Sequence, residues 1–526
     1  MVGDPLFSEA SGKRKPSSIS RKSGNKARRI NEGSSTSEGR QDEKISEESI
    51  TEGESDEEAA GEKIDEVGEE LSSEEEFAQE SAADRRRRLA KQYLENLKSS
   101  AQETEDFDAK DLDDDIISRR LQRDVAEEKG KVFKFIGTKI SSQVDDVEKV
   151  SSRIGSRSLT DLSINFPNLY TVSKDCELIK WNVASRRPKR IKHTKGGIRY
   201  FELLRNQNHN HHYEAINCVA ASPNGRYVVT GGNDSRLIIW SSENLACLRV
   251  LDTRAPVNAI VFRRDSDELF AACGDRRVRT FSINQFTQLE ILYGHQENIT
   301  DISALSRETC VSVGSRDRTA MFWKIVEESR LSFRGESLDS ITRKNKDKEK
   351  NGEEPLFVAE GSIDRVCMVD ESHFVTGSDN GNVALWSLNK KKALCTVRSG
   401  HGLKPKLKAS SSSAECSEEK ASKQIPINQP YWITAVHVVP YSDFFVTGSY
   451  NGTLNLWKIS HEGMRSFDMI GQIKDIRGCV TGIESVILEE KKLIIFALLS
   501  KEHRLGRWLG KIEGARNALV TVTFNI

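Results

Sequence analysis

Beyond about residue 150 the chain repeats one hydrophobic and polar pattern: a short apolar run, a tight polar turn, then an alternating run that ends in a large aromatic residue. SVGSRDRTAMFWKI, ending just past Trp323, is the clearest copy. Aligned on the aromatic, the anchors are Trp181, Trp240, Phe281, Trp323, Trp386, Trp457 and Trp508. Six positions upstream stand Asp175, Asp234, Asp275, Asp317, Asn380, Asn451 and Glu502, and eight upstream the small residues Ser173, Gly232, Cys273, Ser315, Ser378, Ser449 and Ser500. Thr171, Thr230, Thr376 and Thr447 recur ten upstream. Asn and Asp suit the turn because their side chains accept hydrogen bonds from nearby backbone amides. Period-2 alternation then lays one face of the following strand against a neighbour.

Gly294-His295 precedes Asp317 at a spacing that lets the imidazole reach the turn carboxylate. Glycine-histidine early and tryptophan late is the WD40 signature, with roughly 40–45 residues per four-stranded blade. The reading is therefore all-β: a seven-bladed WD40 propeller over 131–526, preceded by a disordered arm and short amphipathic helices. The steps from Trp240 to Phe281 and from Phe281 to Trp323 match the period, whereas three others are longer. The excess reads as polar loop insertions at 186–212, 331–354 and 403–429, which on a repeat scaffold tend to cluster on a binding face.

The segment before the propeller changes character twice. Residues 41–80 carry 18 Asp/Glu and two Lys with almost no apolar side chains, so 1–80 reads as a disordered arm. Its beginning holds two basic clusters, Lys13, Arg14, Lys15 and Lys26, Arg28, Arg29, of the kind read by nuclear import receptors. Over 81–130, Leu89, Tyr93 and Leu97, then Leu112, Ile116, Leu121 and Val125, predict two amphipathic helices behind Arg85 to Arg88. Charge divides accordingly: 26 Lys/Arg against 38 Asp/Glu in residues 1–150, and 53 against 42 in 151–526. A basic body favours a polyanionic partner.

Chemistry is scarce. The nine cysteines never approach Cys-x-x-Cys spacing and read as buried reduced thiols. There is no Walker loop, His-Glu-x-x-His or Gly-x-Ser-x-Gly, and no apolar run long enough for a membrane span. In ALLSKEHRLGRWLGKI (497–512), Glu502 and His503 could form an acid–base pair, but Glu502 holds the turn position that Asp or Asn holds elsewhere, so a charged turn is expected. His209, His211 and His212 in NHNHHY sit in an insertion and suggest at most adventitious metal binding. The expectation is a protein that is not an enzyme, with no cofactor and no metal.

The turns carry cations instead. Lys174, Arg236, Arg276, Arg277, Arg316, Arg318, Lys501 and Arg504 are expected on one face, conventionally the top, as a basic ring for phosphates or an acidic protein surface. RRRRLAKQYLENLKSS, DDDIISRRLQRDVAEEKGK, GSYNGTLNLWK and KEHRLGRWLGKIEGARNALV give the chain, from about Asp84 onward, a further resemblance: it is similar to the WD40 protein family of the U3 small nucleolar ribonucleoprotein. The resemblance implies a non-catalytic nucleolar scaffold that binds U3 snoRNA at its box B/C region beside a kink-turn-binding snoRNP core protein. Its further partners would be other small-subunit processome proteins, its place the nucleus and nucleolus, and its role pre-rRNA processing and small ribosomal subunit biogenesis. A peptide-binding WD40 adaptor of a chromatin or ubiquitin-ligase complex is the alternative that the same face would serve.

Overall fold

A computed structural model describes residues 133–526 apart from 145–146, 156–157, 200–209, 336–359, 406–416, 418–419, 421–427, 462, 490, 507–508, 510–511 and 513. The two basic clusters, the acidic segment and the amphipathic stripes expected over 81–130 lie outside the described residues, as does Trp508.

Among the described residues twenty-eight strands make seven four-stranded antiparallel sheets, and a short helix, α1 (Gly137–Ser141), comes before the first strand. Blade 1 is β2 (Leu159–Asn165), β3 (Asn168–Ser173), β4 (Glu177–Asn182) and β5 (Lys189–Lys195). Blade 2 follows with β6 (Ile216–Ala221), β7 (Tyr227–Gly232), β8 (Arg236–Ser241) and β9 (Cys247–Asp252). In blade 3 the strands are β10 (Val257–Phe262), β11 (Glu268–Cys273), β12 (Arg277–Ser282) and β13 (Thr287–Tyr293). Blade 4 holds β14 (Ile299–Ala304), β15 (Thr309–Gly314), β16 (Thr319–Lys324) and β17 (Ser329–Arg334). Blade 5 runs β18 (Ile363–Met368), β19 (His373–Ser378), β20 (Val383–Ser387) and β21 (Lys390–Val397). Blade 6 is built of β22 (Ala435–Val438), β23 (Phe444–Gly448), β24 (Leu454–Ile459) and β25 (Phe467–Ile473).

Blade 7 differs. Its inner strands are β26 (Cys479–Leu488), β27 (Lys492–Ser500) and β28 (Ala518–Asn525), but its outermost strand is β1 (Glu148–Arg153) from the other end of the propeller. β1 pairs antiparallel with β28 from Glu148↔Thr523 to Arg153↔Ala518, and this pairing closes the ring. The innermost strands β2, β6, β10, β14, β18, β22 and β26 each touch the next, and β26 returns to β2.

Alternation along a strand explains the packing. Leu237 and Ile239 of β8 join Val257, Leu269 and Phe281 of blade 3, while Ile238 and Trp240 turn the other way onto Tyr170 and Leu178 of blade 1. The middle strands are therefore buried on both faces, not on one, which is why β8 reads as a continuous apolar run between polar ends. Each fully buried Leu, Ile or Val contributes about 1.5–3 kcal/mol. The outermost strands keep one edge in water and read as mixed polar sequence, β5 most of all.

The segment before β1 is pinned beneath blade 6. Asp443 Oδ1 accepts the amides of Ile136 and Gly137 at 2.8 and 3.0 Å, and Ile140 of α1 is buried among Phe444, Leu456 and Phe524. A chain that begins at Ile154 loses β1 and this anchor. Its melting temperature should fall by roughly 5 °C or more, whereas removing residues 1–80 should leave it unchanged. Equal thermal unfolding of the Ile154 chain and the full chain would contradict ring closure through β1.

Candidate nucleic-acid interface

The top face gathers the turns between second and third strands and the connections from each outermost strand to the next innermost one. Three blades carry a complete polar chain there. In blade 2, Trp240 Nε1 donates to Thr230 Oγ1 at 2.8 Å, Thr230 contacts His212 Nε2 at 2.8 Å, and His212 Nδ1 meets the Asp234 carboxylate at 3.0 Å. Blade 4 repeats it with Trp323, Ser312, His295 and Asp317, and blade 6 with Trp457, Thr447, His401 and Asn451. Donation runs one way, from indole to hydroxyl to imidazole to Asx, and this fixes the imidazole proton on Nδ1. The threonines ten residues before the tryptophans are thus indole acceptors. Small residues precede the turn for a similar reason: a Cβ at Gly232 would stand 2.6 Å from Asp234 Oδ1 and 2.8 Å from His212 Nδ1.

The protonation states follow from the surroundings. Burial raises the Asp317 carboxyl, but His295 and the Thr319 amide outweigh it and hold the group below the ordinary range. His401, facing a neutral amide in place of a carboxylate, is lowered by burial to about 4. The remaining blades vary the theme. Trp181 and Trp386 still donate to Thr171 and Thr376, Glu360 takes the histidine's place in blade 5 by accepting from Ser378, and in blade 3 Arg279 grips Asp275 with both terminal nitrogens at 2.9 and 2.6 Å.

Asp175, Asp234, Asp275, Asp317, Asn380 and Asn451 all lie in turns between second and third strands. The residue after each has a positive φ: Cys176, Ser235, Arg276, Arg318, Gly381 and Gly452. Only the last two are glycine, the residue that adopts this conformation freely. Arg276 is exposed at φ 70 and Arg318 half-buried at φ 54, with Arg316 exposed beside it. Arg236 lies over the Tyr213 ring at 5.0 Å and Arg277 over Tyr293 at 4.8 Å, half-buried cations backed by aromatic faces. Exposed Arg254 and Arg334, at the ends of β9 and β17, extend this arc across blades 2 to 4.

Two cations expected to be available on that surface are engaged by the protein itself. Lys174 is spent on Glu502 at 3.4 Å and on the carbonyls of His503 and Gly506. Arg504 is 4% exposed, because its side chain turns into the ring. Its guanidinium donates to the carbonyls of Asn258 on β10 and Thr300 on β14, across the channel from blade 7. Arg365 of β18 braces the same interior through Thr434 O at 2.8 Å, Thr481 O and Asp301 at 3.5 Å. Lys501 remains exposed. Glu502 follows β27, and His503 is buried and driven to about 3 by burial and then by Arg504, so it stays neutral. Among carboxyls on the innermost strands, burial pushes Asp161 and Asp364 up to about 6 and Glu484, beside Asp161, up to about 8.

Further departures from the sequence reading concern the anchors and insertions. The third strand of blade 7 is β28, not a strand ending at Trp508. The 186–212 stretch contains β5, and His212 belongs to the blade 2 chain, while His211 stacks on Trp240 at 5.3 Å. The 331–354 stretch begins inside β17. All three long connections, from β5 to β6, β17 to β18 and β21 to β22, join outermost to innermost strands and so start and end on the top. Among the described residues no His/Cys/Asp/Glu group is placed to hold a metal ion, and no helix is long and apolar enough to cross a membrane.

The comparisons with known proteins agree in direction. Residues 204–241, 286–324 and 425–458 match the family model WD40, described as WD domain, G-beta repeat; these stretches end on the tryptophan strands of blades 2, 4 and 6. The chain is 44% identical over 525 residues to Ribosomal RNA-processing protein 9 of Saccharomyces cerevisiae, covering 86% of this chain and 91% of that protein. It is 29% identical to U3 small nucleolar RNA-interacting protein 2 of Homo sapiens, over 84% of this chain and 82% of the other. Among solved structures, that of U3-55K aligns with a TM-score of 0.58 at 29% identity, covering 71% of this chain and 98% of that one.

Two outcomes test the interior. Arg504→Ala should lower the melting temperature, because the buried carbonyls of Asn258 and Thr300 lose their donor at about 1–3 kcal/mol; an unchanged value would put Arg504 at the surface. Glu484 has a folded pKa above its unfolded one, so the stability it supports is complete below about pH 4.5 and is lost as pH rises through about 8. Glu484→Gln should flatten that fall, and identical pH profiles for variant and parent would contradict a carboxyl held protonated.

Proposed function

The chain belongs to the U3 small nucleolar ribonucleoprotein-associated WD40 family, a non-catalytic family, and from that premise we propose that it is a nucleolar scaffold subunit gripping U3 snoRNA with its top face. It acts in pre-rRNA processing and small-subunit biogenesis by holding RNA and protein in register. The RNA contact is the box B/C region, made beside the kink-turn-binding core protein, with other small-subunit processome proteins as neighbours.

One observation carries this reading: the turns of blades 3 and 4 place Arg276 and Arg318 where blades 5 and 6 have glycine. A non-glycine residue in the left-handed region costs roughly 1–2 kcal/mol. Cys176 and Ser235 hold the same position in blades 1 and 2, so what sets Arg276 and Arg318 apart is the cation each turn presents. Arg236 and Arg277, stacked on tyrosines, offer flat cationic surfaces beside them. Among the described residues, exposed carboxylates on the same arc are few, chiefly Glu214, Asp252 and Glu297, and Asp275 and Asp317 are engaged by Arg279 and His295. A-form RNA hides its base edges and presents phosphates and 2′-hydroxyls, which suits recognition by shape and charge.

The test separates fold from function. Arg276→Gly with Arg318→Gly relieves the backbone, so the melting temperature should stay equal or rise. U3 snoRNA recovered with the purified protein should fall, and the log–log salt slope should flatten by roughly 0.7–0.9 per lost phosphate contact. Undiminished recovery with an unchanged slope would place the RNA contact elsewhere.

A further inference from the structure

The outermost strand of blade 1 has a composition that the top-face reading does not use. Along 183–199, Arg186, Arg187, Lys189, Arg190, Lys192, Lys195 and Arg199 occur without a single Asp or Glu. The strand within this stretch, β5, is exposed at six of its seven positions and half-exposed at Thr194. Arg186 meets Glu148 at 2.8 Å, but the side chains of Lys189, Arg190, Lys192 and Lys195 make no hydrogen bond or ion pair with described residues.

Lysine on an edge strand is a common guard against unwanted strand pairing, and the other blades show how little that guard requires. β9 has one cation and one carboxylate, β13 and β25 have no cation, and β17 has two. β21, with Lys390, Lys391 and Lys392, keeps them together at one end of the strand. On β5 the cations run the whole length, from the turn after β4 at the bottom to Lys195 at the top. Seven residues of strand span roughly 20 Å, enough to lie along several successive phosphates.

We infer that the β5 edge of blade 1 is a second, sequence-independent docking strip for the phosphate backbone of duplex RNA, separate from the turns of blades 2 to 4. A protein partner would need a desolvated apolar centre, and Ile191 is the one large apolar side chain on the strand. Point charges on long stems serve a phosphate backbone without such a centre, since the gain comes from released counterions. Lys180 pairs with Lys192 and Trp181 with Arg190, a bulge at Ile191 that puts Arg190 and Lys195 on one side of the edge and Lys189 and Lys192 on the other, so the strip reaches phosphates on either side of it.

The experiment uses the full chain and a blunt RNA duplex two helical turns long, of arbitrary sequence. Binding is followed across a salt series for the parent and for Lys189→Gln, Arg190→Gln and Lys192→Gln combined. These side chains are exposed, so the melting temperature should be unchanged. The expected result is weaker duplex binding and a slope flatter by roughly 2.7, three contacts at about 0.9 each. The same loss in a background of Arg276→Gly with Arg318→Gly supports independence of the two surfaces, and its failure there while the parent background responds would merge them and overturn the proposal. An unchanged slope, or a loss seen with polyglutamate and not with the duplex, would also overturn it. Recovery of U3 snoRNA by the β5 variant reads the top face separately, so the two ideas fail independently.

Discussion

The antiparallel pairing of β1 with β28 is the interaction on which the rest of the architecture depends. Six blades are made from contiguous chain, but the seventh is complete only when a strand from the beginning of the propeller adds to its edge. Without it β28 would expose a row of unpaired amides and carbonyls, a template for association. Closure brings together residues almost the whole propeller apart in sequence, so it costs loop entropy that only the finished ring offsets. It also fixes where every top-face turn points. The arc of arginines on blades 2 to 4 is a surface only because the blades are held at constant angles to one another.

Inside the ring, charge serves the same end. Arg504 reaches from blade 7 to carbonyls of blades 3 and 4, and Arg365 from blade 5 to blades 6 and 7. Burying two guanidiniums is expensive, and their carbonyl and carboxylate partners do little more than offset the desolvation. What they add is register: the polar chains of blades 2, 4 and 6 tie each turn to its own tryptophan, and the arginines tie separate blades to each other. Catalysis would require titratable groups free to exchange protons with a substrate, whereas His503 is neutral and enclosed and Glu502 is paired with Lys174.

Much of this was legible in the chain wherever the physics is local. The tryptophan, the threonine ten positions before it and the Asx six before it lie on one hairpin, so their spacing survives in sequence and led to seven blades. The failures come where a loop decouples sequence from space. Glu502 stands in the right place after β27, but seventeen residues separate β27 from β28, and the register to Trp508 carries no information across them. Arg504 looks like any turn arginine, and only the closed ring shows that its side chain turns inward. His212 left a signal that could have been found: it precedes Asp234 by 22 residues, the interval between His295 and Asp317. The burial of β8 on both faces is likewise a property of the assembled blades, since one strand alone does not show how many neighbours it will have.

Zero-distance photocrosslinking in the assembled particle tests, without altering the protein, whether the top-face turns are where RNA meets this scaffold. Peptides carrying crosslinked nucleotides would be identified by mass spectrometry and the attached RNA by sequencing. Crosslinks are expected in the turns around 233–236, 275–277 and 315–318, with U3 snoRNA as the attached RNA. Crosslinks confined to the turns on the opposite face, or attached chiefly to RNA other than U3, would contradict a top-face contact with U3 snoRNA.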